Sequence, residues 1–347
     1  MPRTIDREVL RRIPKAELHC HLDGSVRPQT LLDLGREQGV AMPRGDAESL
    51  RDYMLVKDAR HLEDYLARFE VTLSVMQTEA ALERIAYELA VDAAAEGVRY
   101  IEVRYAPVLN VRRGLELGAV VEAPLRGLAR AERDAGVVGR LIVCAIRNMP
   151  TATSLELARL AVEYRGRGVV GFDLAGGEAG NPATRHARAF AHAREHDLAC
   201  TCHAGEGAGA ESVRDAVHGC CVHRVGHATR LIEDERLLDY VNDRRIALEI
   251  CLTSNVQTRA ADSYERHPFR AYFDRGLNVV LNTDNRLMSG TTLTDEYAHA
   301  AEHLGFTLDE LCEVAANGFR SAFLPHAERE RLLASAKVEM AALREAR

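Results

Sequence analysis

The chain has 347 residues, 47% hydrophobic and 28% charged, a balance that belongs to a folded globular enzyme and excludes a disordered or fibrous chain. Its formal net charge is −7 and no block of Lys or Arg extends beyond a pair or two, so the electrostatic footprint of a nucleic-acid binder is missing. No apolar run approaches the ~20 residues that span a bilayer, and the N-terminal "MPRTIDREVLRRIPKAE" lacks the apolar core of a signal peptide; the expected location is the cytoplasm, with neither nucleic acid nor membrane as partner.

The first strand-like run, "AELHCHL" (16 to 22), carries His19 and His21. Two residues apart on a strand, they point to the same face and can share a metal. Alone the pair is weak, because His-x-His arises by chance in a chain with 14 histidines. A long helical insertion follows, about 30 to 97, with a strongly amphipathic "HLEDYLARFEVTLSVM" (61 to 76). It leaves from the end of a strand and is a candidate lid. In "TEAALERIAYELAVDAAAEG" (78 to 97) Thr78 is placed to cap a helix and Gly97 to stop it.

Further runs rich in Val, Ile and Leu then recur with helical segments between them: "VRYIEVRY" (98 to 105), "RLIVCAI" (140 to 146), "GVVGFDL" (168 to 174) and "LACTCH" (198 to 203). The last three are "HRVGHA" (223 to 228), "IALEICL" (246 to 252) and "LNVVLNTD" (277 to 284). Eight strands alternating with helices predict an α/β chain folded as a TIM (β/α)8 barrel, with extra helices inserted between the first and second strands. A doubly wound sheet is the structural alternative. No Pro-, Gly- or Ser-rich linker divides the chain, so 1–347 is expected to be a single domain.

A barrel of this kind carries its chemistry at the C-terminal strand ends. His203 closes the fifth run, His227 the sixth and Asp284 the eighth, joining His19 and His21 of the first. Imidazoles and a carboxylate form a nitrogen and oxygen donor set that suits zinc, with a position left for water. Spacing does not say which histidine is spare. Glu206, three residues after His203, stands where a carboxyl group could move protons beside the metal, although a solvated loop glutamate has the same spacing. The eight cysteines form no Cys-x-x-Cys pair, so no thiolate zinc site is signalled.

"KAELHCHLDGS", "FDLAGGE", "TCHAGE", "VGHA" and "LNTDN", in this order across residues 15 to 285, resemble the adenosine deaminase family within the amidohydrolase superfamily. The resemblance implies one zinc per chain held by His19, His21, His203 and Asp284. It implies that Glu206 protonates ring nitrogen 1 of a purine and that His227 orients and activates the attacking hydroxide, which displaces ammonia from carbon 6. It further implies a purine nucleoside substrate, contacted by His21, by Asp23 at a ribose hydroxyl and by the backbone of Gly176 at ring nitrogen 3. Tyr65 and Phe69 match aromatic positions of the lid, where plain core packing explains them equally well. The implied activity is hydrolytic deamination of adenosine and 2'-deoxyadenosine in purine salvage; 6-aminodeoxyfutalosine and free adenine are the alternative substrates.

Two features refine that expectation. Related barrels with His-x-His bind two metals through a carboxylated lysine on the fourth strand, but this chain has no lysine between Lys57 and Lys337; a one-metal site remains. Where the family has a second aspartate, this chain has Asn285. An aspartate must hold a proton to donate to ring nitrogen 7, whereas an amide donates at any pH.

Overall fold

The computed structural model describes residues 5–55 and 68–345. Eight strands run β1 Lys15–His21, β2 Val98–Tyr105, β3 Val138–Ile146, β4 Val169–Ala175, β5 Ala199–Ala204, β6 Arg224–His227, β7 Ala247–Ile250 and β8 Val279–Leu281. They pair in parallel in chain order, and helices between them form an outer ring, so the barrel expected from the sequence is the fold found. The strands read as near-continuous apolar runs because both of their faces are buried. Among the described residues no helix is long and apolar enough to cross a membrane.

β8 is short, and the ring closes by another route. Beyond it the chain returns to β1 through a bridge between Cys20 and Asp284: the Asp284 N–H donates to the His19 carbonyl at 2.9 Å, and the His21 N–H donates to the Asp284 carbonyl at 2.7 Å. The Asn282 side chain adds to the seam by accepting from the Leu18 N–H at 2.7 Å. Three site residues are therefore part of the barrel closure itself.

The insertion after β1 contains helices Pro28–Gln38, Ala47–Met54, Phe69–Val75 and Glu79–Ala95. Thr78 caps the last of these by accepting from the Ala81 N–H at 3.2 Å, a contact worth ~1 kcal/mol. Gly97, at φ +84, ends the turn where a Cβ would come within 2.5 Å of the Arg11 carbonyl. The Glu79–Ala95 helix belongs to the outer ring: it packs on Leu117–Ala135, where Gly127 lets the two backbones approach, since a Cβ there would meet the Glu83 carbonyl at 2.3 Å. The extra helices are thus the shorter ones before it. Leu55, just after Ala47–Met54, lies against Gly290 beside the loop that carries Asp284. Tyr65 and the first half of the expected 61–76 helix lie outside the described residues.

The N-terminal end of the barrel holds a separate cleft of about 1060 Å³, lined by strand starts such as Gly139, Val169, Ala199 and Ala247. No residue of the candidate site lines it.

Candidate active site

The C-terminal strand ends bring His19, His21, His203 and Asp284 together, with ligand-capable atoms all within 4.8 Å of one another. His19 is fully buried, and the others are at most 9% exposed. Asp284 Oδ1 lies 3.4 Å from the Nε2 atoms of both His19 and His21, and the Nε2 atoms of His21 and His203 are 3.0 Å apart. A tetrahedral ion with bonds of ~2.1 Å keeps its ligand atoms about 3.4 Å apart. The buried His19 Nε2 has no hydrogen-bond partner, so an orphaned donor set converges on one point, and these residues fit a zinc ion.

The opposite ring nitrogens explain the orientation. His19 Nδ1 donates to Glu249 Oε2 at 2.9 Å, and His203 Nδ1 donates to Asp173 Oδ1 at 3.3 Å. A carboxylate at Nδ1 places the proton there and leaves Nε2 bare for a metal. Burial raises both carboxyls, but charge outweighs it and both sit well below the usual range: Arg104, 2.9 Å away, and Arg224 hold Glu249 down, and His203 with Arg104, 3.1 Å away, hold Asp173 down. Ser254 Oγ donates to Asp284 Oδ2 at 2.6 Å, leaving Oδ1 toward the imidazoles.

Protonation states follow from burial and charge. Burial pushes His19 down to about 4 and His21 well below its ordinary value, which keeps both neutral. Burial also pulls on His203, but the Asp173 charge and hydrogen bond outweigh it, and its pKa is raised; metal binding there releases a proton.

His227 differs from the other histidines. Its Nδ1 accepts from the Asn255 side-chain amide at 3.0 Å, and its Nε2 lies 3.6 Å from Glu206 Oε2. Its backbone, at φ +61, sits in the left-handed region, as does Asp284 at φ +60; strain of this kind in non-glycine residues collects at functional sites. Burial raises the pKa of Glu206, partly offset by His227, so its carboxyl retains a proton further up the pH scale than an exposed glutamate.

The loop carrying Glu206 hangs on Glu178. Its carboxylate accepts from the backbone N–H groups of Gly205 at 2.7 Å, Glu206 at 3.0 Å and Gly207 at 2.6 Å. A similar anchor, Glu17, accepts from the Thr283 N–H at 3.1 Å and from Arg286 at 2.6 Å, fixing the loop on which Asp284 and Asn285 sit. Sequence reasoning missed Glu178, Asp173, Glu249, Asn255 and Glu17, although Glu249 in "IALEICL" and Asp173 in "GVVGFDL" each put a charge inside an apolar run.

Of the expected substrate contacts, Asp23 is buried with Oδ1 unpartnered, 4.0 Å from His21 Nδ1, and burial pushes its carboxyl up to about 7. Asn285 is buried, and its Oδ1 is likewise unpartnered. It packs so tightly on Gly24 that a Cβ there would lie 1.7 Å from that oxygen. Gly176 follows β4 at φ +94, a conformation only glycine takes readily. Phe69 is half-buried and packs against the main hydrophobic core.

Known proteins resemble this chain over most of its length. The family model described as Adenosine deaminase matches residues 14–338. Adenosine deaminase 1 of Streptomyces coelicolor is 44% identical over 338 residues, covering 92% of this chain and 85% of that protein. The crystal structure of an adenine deaminase from Arthrobacter aurescens superposes with a TM-score of 0.87 at 30% identity, covering 93% of this chain and 98% of that one. An amidohydrolase from Burkholderia ambifaria, solved with bound zinc, gives a TM-score of 0.88 at 27% identity, covering 98% and 94%.

Proposed function

The chain belongs to the adenosine deaminase family and is a hydrolytic deaminase, and from that premise we propose that it converts adenosine and 2'-deoxyadenosine to inosine and 2'-deoxyinosine with release of ammonia, as a cytoplasmic enzyme of purine salvage. The observation that carries the proposal is the buried convergence of His19, His21, His203 and Asp284 with Glu206 and His227 alongside.

In this reading His19, His21, His203 and Asp284 hold one zinc ion per chain. Bound there, zinc would acidify water and so supply an oxygen nucleophile at neutral pH. The protein's own groups do the rest. Glu206, whose pKa is raised by burial, is the group placed to donate a proton to ring nitrogen 1. His227 presents Nε2 toward the same region and orients the attacking oxygen. Water's oxygen bonds to carbon 6; one of its two protons restores Glu206 and the other passes to the exocyclic nitrogen, whose bond to carbon 6 breaks so that ammonia leaves.

Asn285 donates from its amide to ring nitrogen 7, and the backbone of Gly176 meets ring nitrogen 3. His21 flanks the bound purine. Asp23, a buried carboxyl without a protein partner on Oδ1, receives a ribose hydroxyl, which favours a nucleoside over the bare base. By the family resemblance, Tyr65 and Phe69 are the remaining candidates for contact with the sugar.

The structural likeness to an adenine deaminase keeps deamination of free adenine as the second reading, with 6-aminodeoxyfutalosine as a larger nucleoside variant. Product analysis separates them. Zinc-loaded enzyme with adenosine should yield inosine and ammonia in equal amounts at one zinc per chain by elemental analysis. Ammonia from adenine alone would transfer the assignment to the second reading.

A further inference from the structure

We propose that Asn255 and His267 form a positioning relay that fixes His227 in the tautomer with its proton on Nε2, the nitrogen facing Glu206. The proposal deepens the reading of His227 given above and rests on it.

The relay begins at a group that can only donate. The backbone N–H of Phe269 donates to His267 Nδ1 at 3.0 Å, so a neutral His267 carries its proton on Nε2. His267 is 3% exposed, and burial pushes its pKa down to about 3, which keeps it neutral across the working range. Its Nε2–H donates to Asn255 Oδ1 at 3.1 Å. This contact settles which end of the Asn255 amide is oxygen, a choice that the hydrogen-bond network must make. The amide nitrogen is then turned to His227 and donates to Nδ1 at 3.0 Å. A neutral His227 is left with its proton on Nε2.

Every member is buried, and each link has one sense because the first donor is a backbone amide. Asn255 is held by its own backbone: its N–H donates to the Cys251 carbonyl at 2.9 Å, and its carbonyl accepts from Ala261 at 2.9 Å.

The contrast within the site gives the relay its function. His19 and His203 face carboxylates at Nδ1 and so leave Nε2 bare. His227, with ring centroids only 4.8 and 5.2 Å from theirs, faces an amide donor and so keeps Nε2 protonated. A protonated Nε2 cannot ligate. It can only donate, to Glu206 or to the attacking oxygen. The choice of partner at Nδ1 therefore separates the spare histidine from His19 and His203, which their common placement at strand ends leaves undecided.

The test uses zinc-loaded full-length enzyme and the isosteric variant Asn255→Asp, which replaces the amide donor with an acceptor. Nitrogen-15 spectra of histidine-labelled protein, with His227 assigned through His227→Gln, should show protonated Nε2 and bare Nδ1 in the parent and the proton moved to Nδ1 in Asn255→Asp. Turnover should fall by ~10² or more, as expected for a catalytic histidine held in the wrong tautomer, with KM changed less than about threefold and zinc content intact. His267→Gln, which still offers an N–H to Asn255, should stay within about threefold of the parent; His267→Phe should lose about tenfold or more.

Protonated Nδ1 in the parent, or unchanged kcat and spectra in Asn255→Asp, would overturn the relay. The spectra need no substrate, so they decide it even if adenosine proves not to be the substrate.

Discussion

His21 and His203 aim their Nε2 atoms at each other across 3.0 Å in a buried pocket, although they come from strands β1 and β5 on different sides of the ring. With both Nε2 atoms bare, the two imidazoles gain nothing from that approach, whereas a cation between them, shared with His19 and Asp284, accounts for all four side chains. Removing the metal with a chelator should abolish turnover and lower Tm by several degrees, since a ligand at ~100 times its Kd stabilises by ~2.7 kcal/mol. One equivalent of zinc should restore both. His203→Ala should retain less than about a tenth of the metal; a fully loaded mutant would remove His203 from the ligand set.

Glu206→Gln should keep its zinc and lose most turnover, because positioned proton transfer contributes ~10² to 10⁴ in rate. Steady-state kinetics beside elemental analysis check this. Unchanged kcat would take Glu206 out of the chemistry.

Glu178 touches no expected substrate atom, yet Glu178→Ala leaves three backbone N–H groups of the Gly205–Gly207 turn without their acceptor. The Gly205 donor, the buried one of the three, costs ~1 to 3 kcal/mol when orphaned; the Glu206 and Gly207 groups reach water more easily and cost less. The variant should lose about tenfold or more in kcat, and its amides at 205–207 should exchange with solvent faster than in the parent. Protected amides together with normal kcat would show that another group holds the turn.

Gly24→Ala should act through Asn285, because the added methyl must displace the Asn285 amide. Both Gly24→Ala and Asn285→Ala should reduce kcat/KM by about tenfold, the worth of one hydrogen bond at ~1 to 1.5 kcal/mol. Asn285→Asp should work best at acid pH and fade as pH rises, since the carboxyl donates only while protonated. A pH profile identical to the parent's would contradict a donor role.

Glu296 makes a prediction about stability. Its fully buried carboxyl accepts from the Thr253 N–H at 3.2 Å and the Thr291 hydroxyl at 2.8 Å, and burial pushes its pKa up from 4.5 to about 7. The folded state therefore binds more protons than the unfolded state between these values. The stabilisation is complete below the unfolded pKa and is lost as pH rises through about 7. Glu296→Gln, neutral throughout, should match the parent's Tm near pH ~5 and exceed it near pH ~8. Equal Tm differences at both pH values would place no titration on Glu296.

The barrel was legible because its strands are buried on both faces and read as apolar runs: "VRYIEVRY" matches β2 residue for residue, and each of the other expected runs overlaps its strand. His19, His21, His203 and His227 were legible because a parallel barrel gathers strand ends. Asp284 reaches the site differently, through the bridge to Cys20 beyond a three-residue β8. The supporting groups were hidden for a physical reason: what Asn255 or Glu178 does depends on a partner that only the folded chain supplies, whether His227 across 28 residues or the turn 205–207. Phe69 shows the limit from the other side, since an aromatic at helical spacing fits a lid or a core equally, and here it packs on the core.

The most direct test of the proposed function is kcat/KM for ammonia release by one zinc-loaded preparation on adenosine, 2'-deoxyadenosine, adenine and 6-aminodeoxyfutalosine. Adenosine and 2'-deoxyadenosine should be turned over within about tenfold of each other. Both should exceed adenine by about a hundredfold or more, a margin of ~2.7 kcal/mol assigned to the sugar contacts. Absence of ammonia release from adenosine, with turnover of adenine or 6-aminodeoxyfutalosine by the same preparation, would contradict the assignment.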